Sequence, residues 1–270
     1  MENLSQLRGA IDAIDGTLLA LLNERARLAQ EIGLIKERNG RPVYAPERAE
    51  QLMRRLSAQS QGPLDAPAIR AIYREIMSAS LALEKDTIIA CDGCVGGRSH
   101  RAAKQQFGSC VRYTFHATPA SMFMAVTQGE ADCGVIPFDK EGPDAAVLEL
   151  LGGTTVQLCS QIMLEEGRAS GSERHLVLGS VLNTPSGDDQ TALLIQLSDQ
   201  PGALATAMEP FKSSGVNVLS IHSRGARSGG LYLFLEVAGH VVEGSIAQAL
   251  EGLRSRHLPV TVCGSYPCFQ

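Results

Sequence analysis

The chain has 270 residues, 44% of them hydrophobic, and a net charge of −5. That is enough apolar material for two or three folded domains, and the acidic balance excludes bulk nucleic-acid binding, which needs a basic face. No apolar run approaches the ~20 residues of a membrane span, and the opening MENLSQLRGA has neither the basic nor the apolar region of a signal peptide, so a cytoplasmic protein without membrane contact is expected.

The seven cysteines are scattered and odd in number, which reads as free thiols. The one close pair, Cys91-x-x-Cys94, lacks both the second half of a zinc site and a thioredoxin-like context, so no metal and no other cofactor is expected.

Residues 1–86 read as helix throughout. From Leu4 to about Lys36 a heptad runs through Leu4, Ile11, Leu18, Arg25 and Ile32 on one register and Leu7, Ile14, Leu21, Leu28 and Ile35 on the other. A helix of that length spans roughly 50 Å, too long for a small monomeric bundle to cover, so a dimer is expected. Arg25 interrupts the seam. Lys36 follows it about 20° around the same face, and two cations on one covered stripe repel. Either each pairs locally or both await an anionic ligand, and spacing alone leaves the two open.

A second helix opens at Pro46, which suits a first turn, and carries Arg48; Glu47 complements its positive end. A third follows Pro67 and places Ser80 and Glu84 on one face. The next stretch, from 87 to about 186, alternates strands and helices: TIIACDG, SHRAAKQQFG, CVRYTFH, PASMFMAVTQG, ADCGVIPF. From 187 to 270 the order is strand (TALLIQLSD), helix (GALATAMEPFKSSG), strand (VNVLSIHS), strand (LYLFLEVAG), helix (SIAQALEGLRSR), strand (PVTVCGSYP), a ferredoxin-like βαββαβ arrangement.

LRGAIDAIDGTLLALLNERARLAQEIGLIK, RPVYAPERAEQL and GPLDAPAIRAIYREIMSASLALE together resemble the all-helical chorismate mutases, and specifically the N-terminal domain of the bifunctional chorismate mutase–prephenate dehydratases. The resemblance implies an intertwined dimer in which each site draws on both subunits. By position it implies that Arg8 reaches into the second subunit's site and that Arg25 and Arg48 bind the substrate carboxylates. Lys36 and Glu84 would donate to the ether oxygen, with Ser80 a nearby polar contact. Burial of Glu84 beside two carboxylates would favour its protonated form.

Ala49 departs from the family's glutamate, which binds the C4 hydroxyl. Ala45 departs from the arginine common there, and Glu50 lies about 100° further round, a poor substitute. The departure at Ala49 leaves chorismate and 4-amino-4-deoxychorismate both as candidate substrates.

SHRAAKQQFG, GEADCGVIPFDKEG and SERHLVLG resemble the first lobe of prephenate dehydratase, with the family's second lobe missing. The family's GT loop reads Gly96-Gly97-Arg98, its ENS reads Asp139-Lys140-Glu141, and Glu173 replaces the threonine before Arg174. An inactive dehydratase remnant, serving as spacer or scaffold, is expected.

DQPGALATAMEPF and GSYP resemble the ACT domain that ends these proteins and binds phenylalanine. The resemblance implies an amino-acid effector site at Gly202, Ala203, Leu204 and Asn217, with Ser223 and Arg224 in the altered ESRP segment; a purely structural dimerisation domain is the alternative. For the whole chain the expectation is a mutase; a catalytically faded amino-acid-sensing scaffold is the other class.

Overall fold

The computed structural model describes residues 3–40, 42, 44–165, 172–226 and 229–268. Helix α1 (Leu4–Arg38) is opened by a capping box between Asn3 and Gln6 and closed at Asn39-Gly40. Helix α2 (Pro46–Gln59) has its proline in the first turn, and α3 (Ala66–Glu84) starts where the Asp65 side chain accepts from Ala68 N at 2.9 Å. Helices α1 and α3 meet closely at Gly33. A Cβ there would stand 2.9 Å from Glu84 Cα, so the missing side chain sets the interhelix distance at the residue that matters most below.

Within the chain only Ala29 and Gly33 of α1 are buried. The heptad residues, apart from Arg25, remain about half exposed, from 49% at Leu7 to 64% at Ile14. The seam is therefore not an intrachain core.

The middle of the chain forms β1 (Ile88–Asp92), α4 (Arg98–Phe107), β2 (Arg112–His116), α5 (Pro119–Thr127), β3 (Cys133–Phe138), α6 (Ala145–Gly153), β4 (Gln157–Glu165) and β5 (Ser172–Gly179). These strands make a five-stranded sheet in the order β2-β1-β3-β5-β4, parallel among β1, β2 and β3 and antiparallel beyond. The segment linking β4 to β5, 166–171, lies outside the described residues.

The last unit comprises β6 (Asp189–Leu197), α7 (Ala203–Ser213), β7 (Val218–Gly225), β8 (Leu231–Ala238), α8 (Gly244–Ser255) and β9 (Val260–Pro267). Its antiparallel order β7-β8-β6-β9 is the ferredoxin-like topology expected from the sequence.

The two sheets share a core. Leu193, Ile195, Leu233 and Leu235 face α7 and α8, while Ala192, Leu194, Phe234 and Tyr266 face Leu158, Leu176 and Leu178 of the five-stranded sheet. Gly264 lies directly on the Leu158 backbone, where a Cβ would come within 2.1 Å of the carbonyl oxygen. A buried network crosses this junction. Arg174 donates to both oxygens of Glu236, one at 2.8 Å, and its guanidinium stacks 4.4 Å from the Phe138 ring. Ser220 and Tyr266 add hydrogen bonds to the same carboxylate. Burial alone would raise the Glu236 pKa, but Arg174 and the two hydroxyls outweigh it and hold the group below its ordinary value.

Candidate active site

Helices α1, α2 and α3 enclose a cleft of about 470 Å³. From α1 it receives Arg25, Ala29, Ile32 and Lys36; from α2, Arg48, Ala49, Leu52 and Arg55; from α3, Met77, Ser78, Ser80, Leu81 and Glu84. Four cations thus converge with one carboxylate.

Arg25 Nη1 donates to Ser80 Oγ, and Ser80 Oγ donates on to Ile76 O at 2.9 Å, so the hydroxyl is a fixed relay between guanidinium and backbone. Lys36 Nζ pairs with Glu84 Oε2 at 2.8 Å. Lys36 thus has a local carboxylate partner, whereas Arg25 meets a hydroxyl, and both also line the cleft.

Helix α2 is held from behind. Arg54 donates to Cys268 O at 3.0 Å and lies 3.6 Å from Asp188, and Thr184 donates to Glu47 at 3.1 Å. The presentation of Arg48 and Arg55 is tied in this way to the C-terminal unit. Glu50, the poor substitute for a carboxylate at 49, is buried on the other face with Arg54 (3.1 Å) and Arg70 (3.9 Å).

Of the expected mutase residues, the structure brings together Arg25, Lys36, Arg48, Ser80 and Glu84. Arg8 does not join them in this chain, because it sits 17 positions before Arg25, roughly 25 Å along the helix at ~1.5 Å per residue. Sequence reasoning missed Arg55, although its spacing of seven from Arg48 puts both on one face of α2. It also missed Tyr44, Gln106 and Phe107, the last two contributed by α4.

A second cleft, about 270 Å³, lies between the two sheets' loops and is lined by Asp92, Asp139, Glu141 and Asp144 with Arg224. Burial, and next the Asp144 carboxylate, push the Asp92 pKa up. In the C-terminal unit Gly202 (φ 86) begins α7, with Ala203 next and an exposed Leu204. Asn217 lies at the other end of that helix, about 16 Å away by its length. Ser223 is exposed on β7, whereas Arg224 turns to the opposite face and donates to the Glu141 carbonyl. The six effector candidates are not gathered into one pocket within a single chain.

Among the described residues no cluster of three or more metal-ligating side chains occurs, and no helix is long and apolar enough to cross a membrane.

Residues 7–85 match the family model of type II chorismate mutase, and residues 191–255 match that of the ACT domain. The bifunctional chorismate mutase/prephenate dehydratase of Aquifex aeolicus is 28% identical over 99% of this chain and 98% of its own length, and that of Pseudomonas aeruginosa is 25% identical over 98% of each. The Aquifex alignment is 359 positions long against a chain of 270, so the relative carries a stretch with no counterpart here.

The crystal structure of prephenate dehydratase from Streptococcus mutans superposes with a TM-score of 0.59, at 22% identity, over 68% of this chain and all of that one. A quorum quenching acylase, GqqA, superposes almost as well, with a TM-score of 0.58 at 24% identity over 67% of this chain and 95% of its own. These neighbours show the fold of the α/β and ACT units and leave chemistry to the site. The chain thus carries a type II chorismate mutase domain, a dehydratase-like sheet and an ACT domain in that order, and is similar from end to end to bifunctional chorismate mutase/prephenate dehydratases.

Proposed function

We propose that this protein rearranges chorismate to prephenate in aromatic amino acid biosynthesis and does not dehydrate the product. The observation that carries the reading is the convergence of Arg25, Arg48, Lys36 and Glu84 on one cleft, with Arg55 beside them. Chorismate is a dianion that reacts in a single pericyclic step, needing neither nucleophile nor proton transfer. The protein's contribution is to hold the compact conformer and to stabilise the charge that grows on the ether oxygen.

Arg25 and Arg48 take the carboxylates, for which the planar guanidinium fork is suited. Lys36 donates to the ether oxygen, and Glu84, 2.8 Å from the Lys36 ammonium, is the second group at that oxygen. The excess of cations also favours chorismate over 4-amino-4-deoxychorismate. A substrate ammonium would enter a cleft whose one carboxylate, Glu84, is already paired with Lys36.

Three features support loss of the dehydratase step although the relatives are bifunctional. A stretch of the family's length is absent. The cleft beside the remaining lobe presents four carboxylates, which repel a dianionic substrate. Arg174, the arginine of the family's TRF motif, is committed to Glu236.

The reading divides the chain into a mutase unit (1–86), a non-catalytic lobe (87–186) and a regulatory unit (187–270). The uncovered heptad of α1 supports an intertwined dimer in which Arg8 enters the second copy's site. The α7 N-terminus at Gly202, Ala203 and Leu204 would receive the carboxylate of an amino-acid effector such as phenylalanine, with Asn217 and Ser223 supplied across a dimer contact. The test is to follow chorismate absorbance and analyse products at neutral pH. Prephenate should accumulate. Phenylpyruvate formed above the spontaneous rate would overturn the second half of the reading.

A further inference from the structure

Two side chains of the mutase cleft come from outside the helical unit: Gln106 and Phe107, in the last turn of α4. Their position is fixed by a tight dock against α3. At Gly108 (φ 72) a Cβ would stand 2.6 Å from Ser78 Cβ, so only glycine permits the approach. Cys110 N donates to Ser78 Oγ at 2.9 Å, and Ser109 N to Glu75 Oε2 at 3.0 Å. Phe107 is buried with its ring 4.8 Å from that of Tyr44, and Gln106 Nε2 donates to Tyr44 Oη at 2.8 Å. The α/β lobe is thus part of the cleft wall, two residues along α3 from Ser80.

Consider which polar atoms of that wall have bonding capacity to spare. The cations and Glu84 serve the carboxylates and the ether oxygen. Ser80 Oγ is occupied by Arg25 and the Ile76 carbonyl, and Ser78, 1% exposed, is buried in the dock where its Oγ accepts from Cys110 N. Gln106 uses its amide NH2 on Tyr44, which leaves the carbonyl Oε1 to accept. Burial pushes the Tyr44 hydroxyl pKa far up, so it stays neutral beside the amide. A neutral acceptor anchored to a neutral hydroxyl suits an uncharged hydroxyl on the substrate, and chorismate carries one on its ring.

We propose that Gln106 is a specificity-determining residue of the mutase site: its Oε1 accepts from the ring hydroxyl of chorismate, while its Nε2, held by Tyr44, fixes the amide orientation. This rests on the mutase reading above. It makes the lobe a contributor to the chemistry of the helical unit and not a spacer alone.

The experiment compares wild type with Gln106→Leu in the full chain, on chorismate and on an analogue lacking the ring hydroxyl. The expected result is a fall of about tenfold in kcat/KM on chorismate, the size of one lost hydrogen bond with a buried partner left behind. On the analogue the two proteins should be equal. An equal loss on both substrates means that Gln106 only shapes the wall, and no loss on chorismate means that it touches nothing; either overturns the proposal while leaving the mutase reading intact. A wild type that does not rearrange chorismate sinks the reading and the proposal together. Should the leucine variant fail to fold, Gln106→Met, of equal length and without the amide, gives the same comparison.

Discussion

Replacing Arg25 with methionine separates binding chemistry from folding, because the structure sets the two effects far apart. In the fold, Arg25 is half-buried and its visible partner is Ser80 Oγ, which keeps its own bond to Ile76 O when the guanidinium leaves. No buried charge is orphaned, and methionine extends the apolar heptad, so the expected change in stability is within about 1 kcal/mol. In the site, the same change removes a charge-assisted contact to a substrate carboxylate and one of the cleft's cations. Loss of such a donor costs about 10²–10³ in rate, and loss of carboxylate binding adds to it, so kcat/KM on chorismate should fall by about 10³ or more, ~4 kcal/mol.

Thermal unfolding and chorismate absorbance, measured on the same preparation, read both quantities. A variant that unfolds, or one that stays within tenfold of wild type, refutes the assignment of Arg25 to the substrate. Lys36→Met is the contrasting case. It strands the Glu84 carboxylate, 9% exposed, without its 2.8 Å partner and should cost stability as well as turnover.

Three further outcomes are expected. Ala49→Glu places a second carboxylate in the cleft and should raise the ratio of turnover on 4-amino-4-deoxychorismate to that on chorismate by about tenfold, one charge-assisted contact to the ammonium; competition between the two substrates measures it. Gly33→Ala should destabilise the protein by about 1–3 kcal/mol and slow the mutase, since its Cβ would press on Glu84 Cα at 2.9 Å; helix propensity alone would make alanine ~1 kcal/mol better, so a stabilised variant refutes the close packing. His175 is fully buried, and burial lowers its pKa from 6.5 to about 4 against the opposing effect of the Glu173 backbone. The unfolded chain therefore takes up the proton first as pH falls. Stability should drop by about 3 kcal/mol between pH ~6.5 and 4, and His175→Leu should abolish that part of the acid sensitivity in denaturant titrations.

What the sequence disclosed, and what it withheld, follows from the range of the contacts. The heptad of α1, the proline at the start of α2 and the βαββαβ order are local patterns, and each appears where local physics puts it. The set Arg25, Lys36, Arg48, Ser80 and Glu84 came from the resemblance and not from spacing, and the structure places all five on one cleft. The shared core of the two sheets was half legible. TALLIQL and LYLFLEV are apolar at both parities, which signals strands covered on both faces, whereas β7 alternates. The identity of the covering layer was not legible, because the Arg174–Glu236 pair joins residues 62 positions apart. Nor does any periodicity announce that Gly108 will seat against Ser78 and carry Gln106 into the mutase cleft. Such contacts are written in surface shape, and a single sequence does not show shape.

Those same long-range contacts explain why the α/β lobe persists between the two outer units. If the lobe were deleted, Tyr44 would lose the ring of Phe107 and the bond from Gln106, and α3 would lose its contacts at Ser78 and Glu75. On the other side Leu194, Phe234 and Tyr266 would lose the layer that covers them, and Glu236 would be left beside two hydroxyls without its cation. Each large apolar side chain returned to water costs about 1.5–3 kcal/mol, and an orphaned buried charge about 3–5. Summed over both faces, that is comparable with the ~5–15 kcal/mol by which most domains are stable. The lobe is therefore held in place by its two neighbours whether or not it turns over a substrate, and through Arg54, which meets Cys268 and Asp188, the ACT unit reaches past it to the helix that carries Arg48. Two chains of contacts thus join the ACT sheet to the mutase cleft, one through the back of α2 and one through the lobe and α4.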